Sequence, residues 1–218
     1  FGAYHEPFVG GGAVFFALAS DPALRHGAGL NTIRLNDANA ELVAAYRAIR
    51  DDLPALERAL AVHERAHSED WYREVRRLEP PADQVEKAAR FLYLNRAGYN
   101  GLYRVNLAGC FNVPWGKRAI VRFDRAKLAQ CRRALEGAVV TRLNFEHALS
   151  REVSRGDLVY LDPPYRGTFS SYGAAGFGPE DHDRLFALAV SLDAAGANVV
   201  LSASDNADDR GAYSDRKS

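Results

Sequence analysis

Asp162-Pro163-Pro164-Tyr165 follows the apolar run Leu158-Val159-Tyr160-Leu161. A carboxylate at the end of such a strand stands at the carboxyl edge of a sheet, where open α/β proteins bind ligands. Two prolines fix the chain and remove two N–H donors, leaving one carboxylate, outward carbonyls and a held aromatic ring. That set suits a planar base carrying an amino group. A second candidate is the turn Phe8-Val9-Gly10-Gly11-Gly12 after an apolar run over 5–9. Glycine removes the side chain that would keep a ligand away from backbone. The turn is not GxGxxG, and tight packing alone also accounts for it. Asp37, at the end of a strand over 32–36, stands where an acid hydrogen-bonds ribose hydroxyls, and it can equally cap the next helix. The third candidate, His63-Glu64-Arg65-Ala66-His67, fits HExxH: two imidazoles on one helix face for zinc and a glutamate as general base, with Glu86 available as a third ligand. Its helix is charged and alanine-rich, which favours exposed histidines, and a zinc hydrolase leaves the other two motifs unexplained. His5, His26, His147 and His182 form no cluster.

The elements that position these residues read as an α/β chain. Strands are predicted at 5–9, 32–36, 138–143, 157–162 and 198–202, and helices at 13–20, 38–50 and 179–195. Between 53 and 135 the pattern is helical only, with helices at 53–67, 70–78, 83–97 and 124–136 and an irregular loop over 99–122. The simplest architecture is a doubly wound, Rossmann-like domain built from 1–52 and 136–218, with a helical subdomain, 53–135, inserted. The stretch 205–213 reads poorly as any regular element.

Composition narrows the class. The chain has 218 residues, 47% hydrophobic and 26% charged, which excludes disordered, collagen-like and coiled-coil readings. No apolar run approaches the roughly 20 residues of a membrane helix, and the first ten residues lack a signal-peptide pattern, so no membrane partner is expected and the cytoplasm is the expected compartment. Cys110 and Cys131 support neither a disulfide framework nor a cysteine zinc site and are expected as buried thiols. The absence of methionine and the start at Phe1 predict a piece of a longer reading frame. Net charge is zero, yet residues 90–133 hold ten basic residues against one acid, Asp124, with seven aromatics interleaved. That pattern suits phosphate contacts plus base stacking, or a solvated helical face.

Four segments, EPFVGGGAVFFAL at 6–18, FLYLNRAGYNGLYRVN at 91–106, FNVPWG at 111–116 and LDPPY at 161–165, resemble the Dam-type (D12 class, alpha-group order) adenine-N6 DNA methyltransferases, in the same order along the chain. The resemblance covers roughly 1–204. It implies a methyltransferase domain with an inserted DNA-recognition subdomain, S-adenosylmethionine as donor with S-adenosylhomocysteine as product, no metal, and double-stranded DNA as substrate. It places the donor's methionine end against Glu6, Pro7, Phe8 and Gly10-Gly11-Gly12, its ribose on Asp37 and its adenine ring near Asn144-Phe145; many relatives carry Asp at the position of Asn144. Asp162 and the carbonyl of Pro163, with Pro164 and Tyr165 completing the motif, would receive an adenine flipped from the duplex. Hydrogen bonds to its amino group favour a pyramidal, nucleophilic nitrogen.

By the same resemblance, Tyr99-Asn100-Gly101-Leu102-Tyr103-Arg104 is similar to the YNGLxR segment of GATC readers. Tyr99 would insert into the stack, Leu102 would pack on a thymine methyl, and Arg104 would reach a guanine edge, a pair worth about 1–3 kcal/mol of discrimination. Asn100 and Asn106 lie in the same segment, Pro114 matches a second base-contacting position, and Arg96 and Lys117 are expected at phosphates. A KWAGGK-type motif ahead of the first strand is absent; a chain without it should bind the donor poorly, which implies truncation or disorder there. An RNA methyltransferase, or a DNA binder without catalysis, remains an alternative reading. A cognate restriction endonuclease is a conceivable partner, and DNA would bring the protein to the nucleoid.

Overall fold

The computed structural model describes residues 2–21, 32–106, 108–149, 152–165 and 177–203. Five parallel strands form one sheet: β1 (Ala3–Glu6), β2 (Thr32–Asn36), β3 (Val139–Thr141), β4 (Leu158–Leu161) and β5 (Asn198–Leu201), in the order β3-β2-β1-β4-β5. The helices are α1 (Ala13–Ser20), α2 (Ala40–Asp51), α3 (Leu53–Ala66), α4 (Glu69–Arg77), α5 (Gln84–Ala97), α6 (Arg125–Leu135), α7 (Phe145–Leu149) and α8 (Pro179–Ala194). The expected doubly wound class is what the molecule adopts. Strand order reverses between β1 and β4, which pair directly, so the loops leaving both open at the switch point of the sheet. No helix among the described residues is long and apolar enough to cross a membrane.

The chain forms two compact units, one reaching Ala38 and resuming at Gly137, the other running Asn39–Glu136. Helix α2, assigned by sequence to the sheet domain, groups with the helical unit. In the sheet unit, Val159 and Leu161 of β4 are fully buried against Phe145 and Leu149 of α7 and Leu185 and Ala189 of α8. Strand β1 is buried along its whole length although it carries His5 and Glu6. His5 Nε2 meets Asp157 Oδ2 at 3.1 Å, and Asp157 also accepts the Ala3 and Ser154 amides at 2.8 Å each. Burial holds the His5 imidazole below its usual range despite that carboxylate.

The helical unit packs Tyr72, Val75, Tyr93, Leu94, Ala97, Phe111, Val113 and Val121 into one core. Its helices are capped by side chains that accept orphan amides: Asn39 for α2, Asp52 for α3, Ser68 for α4, Asp83 for α5 and Asp124 for α6. Asp37 therefore does not cap α2, which begins two residues later than expected. The first strand also lies earlier, at Ala3–Glu6, because Pro7 has no N–H to extend the ladder. Segment 99–122 carries no helix or strand beyond the 3-10 turn Tyr99–Gly101 among its described residues, as expected of a loop, but isolated antiparallel bridges join Gly98 to Trp115 and Val105 to Phe111. Cys110 is exposed and Cys131 half-buried, both free, where buried thiols were expected. Residues 205–213 and His26 lie outside the described residues.

Candidate active site

Glu6 ends β1 and Asp162 follows β4, so adjacent parallel strands deliver two carboxyl groups to the same edge. Glu6 is 2% exposed, and Tyr4 Oη donates to its Oε2 at 2.8 Å. Burial pushes the Glu6 carboxyl up to about 7; the Tyr4 hydrogen bond opposes this and the Asp162 charge adds to it. Beyond Glu6, Gly10 (φ +47°) and Gly12 (φ +67°) turn the chain in the left-handed region, and Gly12 leads into α1. A Cβ at Gly10 or Gly11 would meet nothing within 4 Å, so the turn faces open space. Asp37 Oδ2 accepts the Gly10 amide at 3.0 Å and so ties the turn to the end of β2.

Sequence reading missed the residue that braces this edge. Asn36 is 4% exposed. Its amide donates to the carbonyls of Pro7 (3.1 Å) and Leu143 (3.0 Å), while its Oδ1 accepts from Thr141 Oγ1 and the Leu143 amide, both at 2.8 Å. One side chain thus fixes the loops leaving β1 and β3. It ends β2 as an ordinary polar residue, and no local pattern distinguishes it. Phe8, Phe145 and Phe177 form an aromatic group with ring centroids 5.6–5.7 Å apart. Asn144 is exposed, and its Oδ1 accepts the Glu146 amide at 2.8 Å at the start of α7.

Around Asp162, Pro163 is buried and Pro164 half-buried, while Tyr165 is 37% exposed. Tyr165 Oη donates to Asp162 Oδ1 at 3.0 Å and lies 3.0 Å from Ser202 Oγ. Ser202, just past β5, was not anticipated. A serine after an apolar strand carries no signal of its own.

In the helical unit, Tyr99 and Leu102 are exposed at 53% and 51%, although most residues of their class are core. Tyr99-Asn100-Gly101 makes one 3-10 turn with Asn100 at φ 52°. Arg104 is exposed, its Nε donating to Asn112 Oδ1 at 2.7 Å. Asn106 Oδ1 accepts the Ala108 and Cys110 amides at 3.0 and 2.9 Å, shaping the tip of a hairpin. Pro114 is exposed and its carbonyl accepts the Tyr99 amide at 2.9 Å, while Arg96 and Lys117 are exposed.

Two expectations from composition are corrected. Arg90, counted with the basic stretch, is 5% exposed, bonded to Glu41 at 2.5 Å and to the carbonyls of Val75 and Leu78. Of the seven interleaved aromatics, Phe91, Tyr93 and Phe111 are buried and Tyr103, Trp115 and Phe123 pack partly buried around the core, leaving Tyr99 as the exposed ring. The histidines of HExxH are half-buried rather than exposed. His63 stacks on Tyr93 at 4.6 Å and accepts from Trp71 Nε1 at 3.2 Å, while His67 and Glu64 engage other protein groups. Burial, with the Arg90 charge, pushes His63 down to about 4. Among the described residues no group of three metal-ligating side chains converges.

Fold and edge together define a doubly wound α/β enzyme whose carboxylate-Pro-Pro-Tyr loop and glycine turn leave neighbouring strands at the switch point. Residues 2–218 match the family described as D12 class N6 adenine-specific DNA methyltransferase. The Type II methyltransferase M1.LlaDCHI of Lactococcus lactis subsp. cremoris is 35% identical, over 93% of this chain and 72% of that protein. M.MjaIII, a Type II methyltransferase of Methanocaldococcus jannaschii, is 32% identical over 94% and 74%. The DNA adenine methylase of Salmonella typhi is 30% identical over 93% and 72%. The chain belongs to the D12 class of N6 adenine-specific DNA methyltransferases.

Proposed function

We propose that the protein uses S-adenosylmethionine to methylate N6 of adenine in double-stranded DNA at GATC sites. The observation that supports this reading is the parallel pairing of β1 with β4, which brings the glycine turn and the Asp-Pro-Pro-Tyr loop to the same edge of the sheet. The donor supplies a methyl group on a sulfonium. The open glycine turn and the buried Glu6 fit such a group: a cation satisfies a carboxyl that burial has left reluctant to ionise. In this reading Asp37 holds the ribose, and Asn144 and Phe145, with Phe8 and Phe177 beside Phe145, meet the adenine ring.

On the acceptor side, Asp162 and the Pro163 carbonyl accept the two hydrogens of N6, which draws the nitrogen lone pair out of conjugation. Tyr165 stacks on the flipped base. Holding both reactants in contact in a dry site supplies much of the acceleration. Tyr99, Leu102, Arg104 and Pro114 read the bases, Asn100 and Asn106 shape the loops that carry them, and Arg96 and Lys117 meet phosphates. The relatives with Type II names suggest a restriction-modification setting with a cognate endonuclease, and DNA as substrate implies action in the cytoplasm at the nucleoid.

The test is transfer of radiolabel from S-adenosylmethionine to unmethylated plasmid, with protection from a methylation-sensitive GATC nuclease as second readout. Label with protection is expected. Label without protection refutes GATC, and label on RNA alone refutes duplex DNA.

A further inference from the structure

The HExxH segment has no part in methyl transfer as proposed, yet two of its side chains grip one loop. Glu64 and His67 are three residues apart, on one side of the end of α3. Glu64 Oε1 accepts the Phe123 amide at 2.7 Å and its Oε2 accepts from Arg125 Nη2 at 2.8 Å. His67 Nε2 lies 2.9 Å from the Arg118 carbonyl, and its Nδ1 lies 3.0 Å from Tyr93 Oη. A carbonyl only accepts, so Nε2 carries the proton toward Arg118, and a neutral ring takes the Tyr93 hydroxyl on Nδ1.

These bonds fall at the two ends of 118–123. Before them, the Gly116 amide donates to the Ala97 carbonyl at 2.9 Å, and Lys117 turns with φ 55°. A Cβ at Gly116 would lie 2.6 Å from the Gly98 carbonyl oxygen, so the chain is pressed against α5 there. In mid-segment Val121 is 1% exposed while Ile120 is 69% exposed, and Lys117, Arg118 and Arg122 face solvent. The segment is therefore an arch: backbone held at its ends, one residue sunk in the core, cationic side chains outward. A lysine in the left-handed region is strained unless its surroundings over-determine it.

We infer that Glu64 and His67 are positioning residues for DNA binding, holding the 117–122 arch in the shape that presents Lys117 to a phosphate. This rests on the proposed reading of Lys117 as a phosphate contact.

The test measures duplex binding by the purified protein as a function of salt. One lost phosphate contact lowers the slope of log K against log salt by about 0.9, roughly an eightfold loss at 0.1 M salt. Lys117→Ala is expected to show that loss. His67→Phe, which keeps a ring against Tyr93 but no donor for the Arg118 carbonyl, is expected to approach it, with KM for DNA raised and kcat at saturating duplex held. His67→Gln retains a donor and should recover much of the affinity, Glu64→Ala should release the other end with the same signature, and Lys117→Ala should cost little more in a His67→Phe background. An unchanged salt slope for both His67→Phe and Glu64→Ala, or full additivity with Lys117→Ala, overturns the inference while leaving the Lys117 contact intact. No effect of Lys117→Ala itself overturns the contact and the inference with it. A fall in melting temperature with unaltered salt slope in the folded fraction means that the bonds serve folding alone, which also overturns it.

Discussion

Replacing Glu6 by Gln should flatten two pH profiles at once. Burial holds this carboxyl at about 7 against an ordinary 4.5. At about 1.4 kcal/mol per pH unit, that difference amounts to about 3 kcal/mol, and with Glu6 only 2% exposed solvent screening takes little of it away. The folded protein retains a proton here that the unfolded chain releases between pH 4.5 and 7. Stability from this group is therefore complete below 4.5, declines across that window and is absent above it. Glutamine has no proton to lose and can still accept the Tyr4 hydroxyl, so Glu6→Gln should be the more stable form at pH 8, by up to about 3 kcal/mol, and nearly equal to the parent at pH 4.5. A bound cation favours the ionised carboxyl, so affinity for S-adenosylmethionine should rise with pH up to about 7 in the parent and stay low and flat in the variant. Urea unfolding from pH 4.5 to 8, with calorimetric titration of the donor over the same range, reads both. Parallel stability profiles for parent and variant would refute the reasoning.

Asp162→Ala should abolish methyl transfer while duplex affinity stays within about twofold, because the alteration lies on the sheet unit; normal turnover in the label assay contradicts this. Arg104→Ala should lose about 1–3 kcal/mol of discrimination at one guanine of the site, seen by competition between cognate and single-substituted duplexes, and equal losses on both would refute a base contact. Arg90→Met should destabilise the helical unit by about 3–5 kcal/mol, since it strands Glu41 without a counter-charge. The companion Glu41→Gln in that background should recover part of the loss in urea denaturation.

Sheet strands rich in apolar residues were legible: β2 lies where predicted, and β4 with its Asp-Pro-Pro-Tyr loop stands at the carboxyl edge as its pattern requires. Strand β1 was read two residues late, at 5–9, because the apolar run continues past Pro7, which ends the ladder at Glu6; the burial of His5 and Glu6 depends on Asp157 and Tyr4, partners that periodicity does not show. Helix α7 has five residues, too few for a helical period to emerge. Arg90 read as a free cation because its carboxylate, Glu41, lies 49 residues away. The interleaved aromatics mark a core around which the loops hang, a distinction that depends on which rings the helices cover. Zinc at HExxH was set aside on the expectation of exposed histidines, whereas both are half-buried.

The bond from Tyr165 to Asp162, with Ser202 beside it, means that the loop fills its own acceptor position. Under the proposed reaction the incoming base exchanges one donor for another at Asp162. An amino-bearing base returns the hydrogen bond that the tyrosine gives up when it swings to stack; thymine, with no exocyclic N–H at that edge, would leave the carboxylate unpaired at a cost of about 1–3 kcal/mol or more. In that reaction the tyrosine would act as an internal competitor that sets a threshold for admission, and the loop would screen flipped nucleotides before any methyl group is in play.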